Sequence, residues 1–506
     1  MKKLIPILCL VLMLTGCATP KDALPQESAT LPPMQVSFQA PMGQMENARA
    51  ATVQLYLPSI DGTRLVAVNR RAELSPFRWH ADTLLEMLFA YEGDEAKPLP
   101  RADALKLQSP VEISCGVATV NLSATALTLS HEQLYTVFQA IANTLCRCDG
   151  IDSVNLLIAG VQPGLDVASE TPTGALHLNS TDDLSTLWDR ALSQRSAADG
   201  SRRLVQDVTL YFPAAGGRGV LCENRTLAFS NAALPHMART LLDALSEGPK
   251  VLTDLPAFPP LHVYLATEPA VNETSGEKVL TLRFSQDLNA ALLDEGVTRS
   301  CMAASLVYTM TTYLPNIAGV EMFIGDEKIT SLTPEGTYQG AGETMLFANG
   351  VMRRSQFGVF LLSRAKLYFA SDDNTLAPVY RAVPWYEAPN AHYLITQLIK
   401  GPDYYDAGND HLSPVMPAGA GAGDILGTAC SGGTALVNLT QRFRDIAAHM
   451  SVQEERLMVY AMVNTLTELE NISQVCFFID SSQPDTFVSA ISLPGVFLRN
   501  VDIIAR

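Results

Sequence analysis

The sequence predicts an α+β fold of three tandem modules, and two repeats along the chain carry this prediction. A β-like segment with a Leu-Tyr pair occurs three times, and its tyrosines, Tyr56, Tyr211 and Tyr368, lie 155 and 157 positions apart. The letters Asn-Thr-Leu, followed by a polar turn and an apolar β-rich run, occur at residues 143–158 and again 321 positions later. Similarity at a fixed, domain-sized interval indicates a repeated structural unit. A chain of 506 residues also fits about three domains of roughly 150 residues each.

Each unit opens with a predicted β-hairpin. Two alternating β segments flank a turn rich in Gly, Asp or Asn, a pattern typical of a tight hairpin connection. The three hairpins are predicted at residues 53–70, 208–225 and 365–382.

An amphipathic helix is predicted after each hairpin. In the first unit Leu84, Leu85 and Leu88 recur at i, i+1 and i+4, which places them on one apolar stripe. Glycine adopts the left-handed conformation that closes a helix, and a glycine is expected to end each of the three helices. These glycines are Gly93, Gly248 and Gly401.

A second hairpin, a second helix and a final strand complete each unit. Ser130 and Ser451 stand where a capping box begins, with Gln133 and Glu454 three residues later. The apolar run after each of these helices predicts the last strand. Each unit therefore reads strand, strand, helix, strand, strand, helix, strand. One small sheet with two helices on one face would bury both apolar stripes.

The N-terminus predicts export and a lipid anchor. Lys2 and Lys3 precede an apolar run from Leu4 to Leu14, which is typical of a secretory signal and too short to cross about 30 Å of hydrocarbon. The following Leu-Thr-Gly-Cys resembles the bacterial lipobox. The resemblance implies that Cys17 becomes the first mature residue and carries the lipid, which would hold the protein outside the cytoplasm on the membrane.

The repeats and the N-terminus together predict the domain boundaries. Residues 17–48 are rich in proline and read as an extended, disordered tether. The stretch 182–204 reads as a linker that holds a short helix. The predicted segments are the signal peptide 1–16, the tether 17–48, module 1 at 49–181, the linker 182–204, module 2 at 205–355 and module 3 at 356–506.

The charge of the chain excludes one class of partner. The formal net charge is −17, and removal of Lys2 and Lys3 with the signal would make it −19. Nucleic-acid binding needs a basic surface, so no nucleic acid is expected as a partner. The expected partners are the membrane, reached through the lipid on Cys17, and envelope proteins of unknown identity. A polar cell-wall polymer stays possible.

The cysteines do not predict a metal site. Seven remain after Cys9 leaves with the signal and Cys17 is acylated, and they form no C-x-x-C pair. We interpret them as small buried hydrophobic side chains, with disulfides left open.

Two other candidate motifs are better explained by ordinary secondary structure than by a metal site or a phosphate-binding loop. His131 opens a zincin-like pattern, but Tyr135 stands where the second histidine ligand must be. The Gly-rich residues 418–427 precede a strand, whereas phosphate-binding loops precede a helix. We therefore predict no catalytic residue, no metal and no cofactor.

Two sets of recurring side chains are candidates for sites shared by the three units. Near the start of the first helix of each unit lie His80, His236 and His392, but their distances from the helix-ending glycine differ. The recurring tyrosines of the first hairpins could form a binding patch. The favoured interpretation is that the histidines lie singly on the surface and that the tyrosines are half-buried with the hydroxyl at an edge.

The ordered set of repeats resembles the GerM-type sporulation and spore germination domain, called the GerMN domain. The resemblance rests on the Leu-Tyr-Phe strand, the first helices that end at 247–249 and 400–402, and the last helix and strand of the third unit. It implies an extracytoplasmic, often lipid-anchored module without known catalysis. It also implies a fold similar to the small ring-building modules of envelope complexes.

These observations leave three hypotheses for function. The first is a non-enzymatic, membrane-anchored scaffold for assembly in the cell envelope, related to sporulation or germination. The second is an extracytoplasmic binding protein that takes a wall polymer or small ligand in a cleft between modules. The third and weakest is an enzyme, which would need titratable groups from different modules to converge.

Overall fold

The computed structural model of the protein describes residues 38–44, 49–165, 171–193, 204–256, 258–274, 276–335, 342–406 and 409–505. Residues from Gln39 to Arg506 form one compact unit, and all three modules lie within it. The preceding residues, Met1–Phe38, are a separate unit. The predicted signal peptide, Cys17 and most of the predicted tether therefore lie outside the described residues.

Module 1 has the predicted order of elements. Along the chain they are β1 Gly43–Gln44, β2 Arg49–Pro58, β3 Leu65–Leu74, α1 Ala81–Phe89, β4 Glu112–Ser114, β5 Val117–Leu122, α2 His131–Leu145, β6 Ser153–Ile158 and α3 Leu184–Ser193. Helix α3 lies in the predicted linker. The prediction that Gly93 ends the first helix is wrong, because α1 already ends at Phe89 with Ala90 as its C-cap.

Module 2 repeats this order with added short elements. They are β7 Leu204–Pro213, β8 Val220–Phe229, α4 Leu234–Ser246, β9 Ala270–Thr274, β10 Glu277–Phe284, α5 Leu288–Asp294, α6 Arg299–Tyr313, β11 Ile317–Ile324, β12 Glu327–Lys328, β13 Ser331–Leu332, β14 Met345–Leu346 and β15 Val351–Met352.

Module 3 repeats the order again. Its elements are β16 Leu362–Ser371, β17 Leu376–Pro384, α7 Ala391–Lys400, β18 Leu412–Ser413, β19 Ile425–Ser431, β20 Thr434–Leu439, α8 Gln441–Ala447, α9 Val452–Leu466, β21 Gln474–Ile479 and β22 Phe497–Leu498. Both predicted capping boxes are present, at the starts of α2 and α9. The α+β fold of three modules is thus confirmed.

The strands of each module are divided between a hairpin and a separate sheet. In module 1 the hairpin is β2–β3 and the sheet is β4–β5–β6, where β5 and β6 are parallel and α2 crosses between them. The hairpin does not extend the sheet. Helix α2 lies instead along the outer edge of strand β2, where the backbone N–H of Tyr56 donates to Thr144 Oγ1 at 3.0 Å. Module 2 repeats this contact between Tyr211 and Thr309 at 3.1 Å.

The repeated Asn-Thr-Leu letters hold a further edge segment against the sheet. Asn143 donates to the carbonyl of Asn179 at 2.7 Å and accepts from its N–H at 2.8 Å. Asn464 makes the same pair of bonds to Asn500, at 2.9 Å each. The segments held in this way pair with the last strand of the module, through Leu176 on β6 and through β22 on β21. The sequence pattern did not predict this closing segment.

The end of the predicted tether lies on module 3. Strand β1 pairs in parallel with β19, and Asn438 Nδ2 donates to the carbonyl of Pro41 at 2.9 Å. The sheet of module 3 therefore has the order β1-β19-β20-β21-β22, with a two-residue strand at each edge.

One short stretch of module 1, Glu112–Cys115, contacts both other modules, and we call it the junction segment. Ser114 Oγ donates to the carbonyl of Leu362 in module 3 at 2.6 Å. The thiol of Cys222 in module 2 donates to the Ser114 carbonyl at 3.1 Å. Glu112 accepts from Arg354 at 2.5 Å, and the Arg354 side chain is 7% exposed. The three modules therefore pack against one another at this segment.

The Glu112–Arg354 pair predicts a large effect on stability. Glu112→Gln leaves the Arg354 guanidinium buried without its carboxylate, which we expect to cost about 3 kcal/mol of unfolding free energy. The measurement is urea unfolding of the purified chain. The matched control is Glu277→Gln, which removes the exposed partner of the neighbouring Arg353 and should cost less than about 1 kcal/mol. Equal losses in the two variants would contradict the role given to the buried pair.

Candidate binding cleft between modules 1 and 3

Two equivalent loops, one from module 1 and one from module 3, meet to form a cleft. Each loop connects the first hairpin of its module to the first helix, and each carries a tryptophan, Trp79 or Trp385. The cavity between them has a volume of about 330 Å³. Its lining residues are Gln44, Phe77, Arg78, Trp79, Asp82, Trp385, Tyr386, Glu387, Asn390 and Thr428. We call this cavity the junction cleft.

The aromatic side chains of the cleft are held by contacts across the module boundary. Trp79 Nε1 donates to the carbonyl of Trp385 at 2.8 Å. The Trp79 ring packs against the cores of both modules, and Phe77 of module 1 is buried within the core of module 3. Tyr386 lies edge-on to Trp385 with ring centroids 5.8 Å apart, and 39% of it is exposed. The cleft therefore has aromatic walls, with Trp79 and Trp385 partly exposed and Tyr386 exposed.

Two carboxylates, one from each module, complete the cleft. Asp82 lies in the first turn of α1 and accepts from the Val111 N–H at 2.8 Å. Glu387 ends a short 3-10 helix and accepts from Asn390 Nδ2 at 2.8 Å. Asn390 is also the N-cap of α7, where it accepts from the Tyr393 N–H at 3.2 Å. The polar side chains of the cleft are therefore positioned by residues at the N-terminal ends of α1 and α7.

Burial disfavours the charged form of both carboxylates. It raises the pKa of Asp82, and the hydrogen bond from Val111 offsets only part of this effect. It likewise raises the pKa of Glu387 against the opposing hydrogen bond from Asn390. Within the described part of the chain, neither carboxylate forms an ion pair.

A second cavity of about 470 Å³ adjoins the junction cleft and shares Arg78 and Trp79 with it. Its lining includes charged side chains of both signs, among them Lys366 and Glu470. Glu470 faces His80 across the module boundary, with 3.7 Å between its Oε2 and His80 Nδ1. Burial raises the pKa of Glu470. The two cavities lie next to each other along the boundary between modules 1 and 3, and we call them together the groove.

The family of the chain follows from its three repeats. The model of the Germane family, described as sporulation and spore germination, matches residues 54–163, 209–330 and 366–485. These matches cover well over half of the 506 residues, and each falls within one of the three modules described above. The chain belongs to the Germane family.

Two solved structures of GerMN domains are similar to this Germane protein. The tandem GerMN domains of the sporulation protein GerM from Bacillus subtilis match at 17% identity, over 60% of this chain and 99% of that one, with a TM-score of 0.22. The first GerMN domain of the same protein matches at 21% identity, over 26% and 97%, with a TM-score of 0.20.

A protein of Clostridium perfringens named as a lipoprotein matches at 20% identity, over 27% of this chain and 87% of that one, with a TM-score of 0.19. Because all three TM-scores are low, the assignment to the Germane family rests on the family model. No curated protein matches the chain significantly.

The three candidate histidines of this Germane protein do not come together. His80 is buried, and its Nε2 lies 2.8 Å from the Ser75 carbonyl. His236 contacts Ser230, and His392 is half-buried with a pKa lowered by burial. No hydrogen bond joins these histidines among the described residues, and none of the three lines the junction cleft.

The recurring tyrosines are structural and more deeply buried than predicted. Tyr56, Tyr211 and Tyr368 are each at most 3% exposed. Each hydroxyl accepts a hydrogen bond from an arginine that also lies over the ring. The arginines are Arg147, Arg354 and Arg499, at 3.1, 3.5 and 2.5 Å. These tyrosines therefore form no surface patch.

The remaining predicted motifs lie apart from the cleft. All seven cysteines of the described chain are free thiols, four of them buried. His131 is the first residue of α2, and residues 418–424 lead into β19. The described residues contain no cluster of His, Cys, Asp and Glu suited to a metal ion. Cys17 lies outside the described residues.

The residues of the cleft were not predicted from the sequence. Trp79 and Trp385 are two of only three tryptophans in the chain. Both lie in the loop before the first helix of a module, and the same loop of module 2, residues 230–233, has no aromatic residue. An alignment of the three loops would have singled out modules 1 and 3.

The raised pKa of Glu387 predicts how stability depends on pH. A carboxyl whose pKa is higher in the folded state binds its proton more tightly there, so its contribution to stability falls as pH rises through that pKa. We expect Glu387→Gln to unfold at a higher temperature than the wild type at pH 7, with the difference shrinking toward about pH 4. Thermal unfolding between pH 4 and pH 8 measures this. The control Glu73→Gln, at an exposed strand position, should shift neither end of the profile, and a lower melting temperature for Glu387→Gln at pH 7 would refute the expectation.

Proposed function

We propose that this Germane protein is a lipid-anchored, non-enzymatic scaffold outside the cytoplasm that holds an envelope component in the junction cleft during sporulation or germination. The observation that carries the proposal is that modules 1 and 3 build the cleft jointly. Trp79 of one module is hydrogen-bonded to Trp385 of the other, and Phe77 is buried in the core of its neighbour. The cleft therefore exists only in the packed protein and presents a fixed shape to a partner.

The covered sheet edges favour a cleft over an open edge as the place of contact. An unpaired edge strand is a ready surface for pairing with another chain, and short strands block such pairing. In module 3 both edges are two-residue strands, β1 and β22. In module 2 the strand β11 is covered by β12 and β15, while the five-residue strand β9 forms the other edge of that sheet. A scaffold whose module 3 sheet ends in short strands would recruit its partner there through side chains.

The proposed anchor is the lipid on Cys17. Support comes from the lipobox-like Leu14 to Cys17 and from the apolar run of signal-peptide length that precedes them. Among the described residues no helix is both long and apolar enough to cross a membrane. A diacylated cysteine would supply stable attachment by itself.

A binding role for a wall polymer or small ligand is the second candidate, and the composition of the cleft favours it. Aromatic walls with a few convergent polar groups are typical of ligand pockets. The two candidate functions would use the same cleft, because a scaffold that holds a polymer and a protein that binds that polymer need the same contacts.

The geometry of the junction cleft gives less support to an enzymatic function. Asp82 and Glu387 come from different modules and line one cleft, which is the convergence that catalysis would require. However, in the described chain no hydrogen bond links either carboxylate to the other, or to a His, Ser or Lys that could act with it. The proposal therefore assigns them to binding.

The anchor is tested by metabolic labelling with an alkyne fatty acid. We expect label on the wild-type chain and none on Cys17→Ala, because only Cys17 follows the lipobox-like residues. Cys9→Ala is the matched control and should keep the label, because Cys9 leaves with the signal. Label on Cys17→Ala equal to that on the wild type would overturn the anchor.

The scaffold is tested by pull-down of the C-terminally tagged full chain from detergent-solubilised cells. We expect envelope components to co-purify with the wild type and to be lost from the Cys17→Ala variant. Recovery of nothing beyond the chain itself would overturn the scaffold.

A further inference from the structure

We infer that the junction cleft binds a neutral glycan chain, with a sugar ring stacked on its aromatic wall and sugar hydroxyls hydrogen-bonded to Asp82, Glu387 and Asn390. This inference rests on the proposed function only in using the same cleft as a binding site. It adds the chemical class of the ligand, which nothing in the family assignment supplies.

The aromatic wall selects a ligand with flat apolar faces and polar edges. A sugar ring presents C–H groups on its faces and hydroxyls around its rim, so it can cover an aromatic face and keep its hydroxyls in polar contact. Tyr386 is 39% exposed at the cleft, while Trp79 and Trp385 are fixed by the hydrogen bond that joins them. These rings offer a prebuilt surface, so little ordering is needed on binding.

The carboxylates select a ligand that donates hydrogen bonds. Among the described residues, Asp82 accepts a hydrogen bond from the Val111 N–H, Glu387 accepts one from Asn390, and neither carboxylate forms an ion pair. Burial raises the pKa of both groups, so neighbouring protein atoms do not fully compensate their charge. Sugar hydroxyls are numerous neutral donors that would satisfy the remaining acceptor positions.

The charge of the cleft disfavours anionic polymers. Two carboxylates line it against one basic residue, Arg78, and the whole chain carries a net charge of −17. A phosphate-bearing polymer would approach against this field, whereas a neutral chain would not.

The dimensions suit more than one sugar unit. The cleft and the adjoining cavity measure about 330 and about 470 Å³ and share Arg78 and Trp79. Each lies within the range of about 300–1,000 Å³ that is common for ligand pockets. A linear glycan could therefore pass along the groove with Trp79 between two of its units.

The experiment uses the position of the three tryptophans. Trp188 lies on α3, away from the cleft lining, so Trp188→Phe leaves Trp79 and Trp385 as the only tryptophans. The full chain with this substitution is purified in a zwitterionic detergent that contains no sugar. Its fluorescence is followed while tetramers of N-acetylglucosamine or of glucose are added, with polyglycerol phosphate as the anionic comparison.

We expect a saturable fluorescence change with at least one neutral tetramer and weaker binding, or none, of the anionic polymer. Tyr386→Ala should weaken binding by about tenfold, because it removes the accessible aromatic surface. Tyr404→Ala, at an 81% exposed tyrosine outside the cleft, is the matched control and should change the dissociation constant less than about twofold. Circular dichroism checks that both variants are folded.

Three results would overturn the inference: no saturable change with either neutral tetramer, no effect of Tyr386→Ala, or tighter binding of the anionic polymer. The pull-down described above separates this failure from a failure of the proposed function. If envelope components still co-purify with the wild type and are lost from Tyr386→Ala, the cleft is the binding site but its ligand is not a neutral glycan.

Discussion

The arrangement of the protein depends on the junction segment, residues 112–115, where one short strand of module 1 contacts both other modules. Its carboxylate meets the buried Arg354, and its backbone and side chains reach Cys222 and Leu362. A buried guanidinium is stable only with its partners in place, so these contacts tie the packing of the modules to one set of positions. The junction cleft is a consequence, because modules 1 and 3 must be held side by side for their aromatic loops to meet.

Modules 1 and 3 each close one edge of their own sheet, and this has a bearing on how such proteins assemble. Asn143 and Asn464 each bind both backbone groups of an asparagine 36 residues later, which places an edge segment beside the last strand. The closed edge protects against pairing with other chains. Contacts between the modules instead use side chains and isolated backbone bonds, such as the single bridge between Val220 and Leu361. Tandem modules of this kind can therefore pack together without forming a continuous sheet.

The cleft contains two carboxylates whose burial does not favour the folded state. Asp82 and Glu387 lie where burial works against their charge, although an apolar or amide side chain would fit the same walls with less cost. Sites that give up stability in this way are typical of binding and catalysis, because a ligand can supply the missing contacts. The aromatic residues of the two loops are likewise not required for folding, since module 2 has the same fold without aromatic residues in this loop.

The sequence by itself determined the number of modules, the order of their elements and the capped starts of the second helices. These features depend on local periodicity and on side chains such as Ser130 and Ser451, which bond to residues three positions away. It also determined that the recurring tyrosines belong to strands, but not that an arginine distant in the chain lies over each ring. The division of each module into a hairpin and a separate sheet was not predictable from alternation, because the contact of Tyr56 with Thr144 spans 88 positions.

Only the tertiary structure decided the candidate site. Trp79 and Trp385 are 306 positions apart in equivalent loops of two different modules, and their place in the repeat does not predict that the loops meet. Their meeting depends on the packing of whole modules through buried contacts such as that of Ser114 in module 1 with Leu362 in module 3. Local sequence encodes the fold of each module because that fold is made of short-range patterns. The cleft arises from long-range contacts between finished modules, so it exists only once the chain has folded.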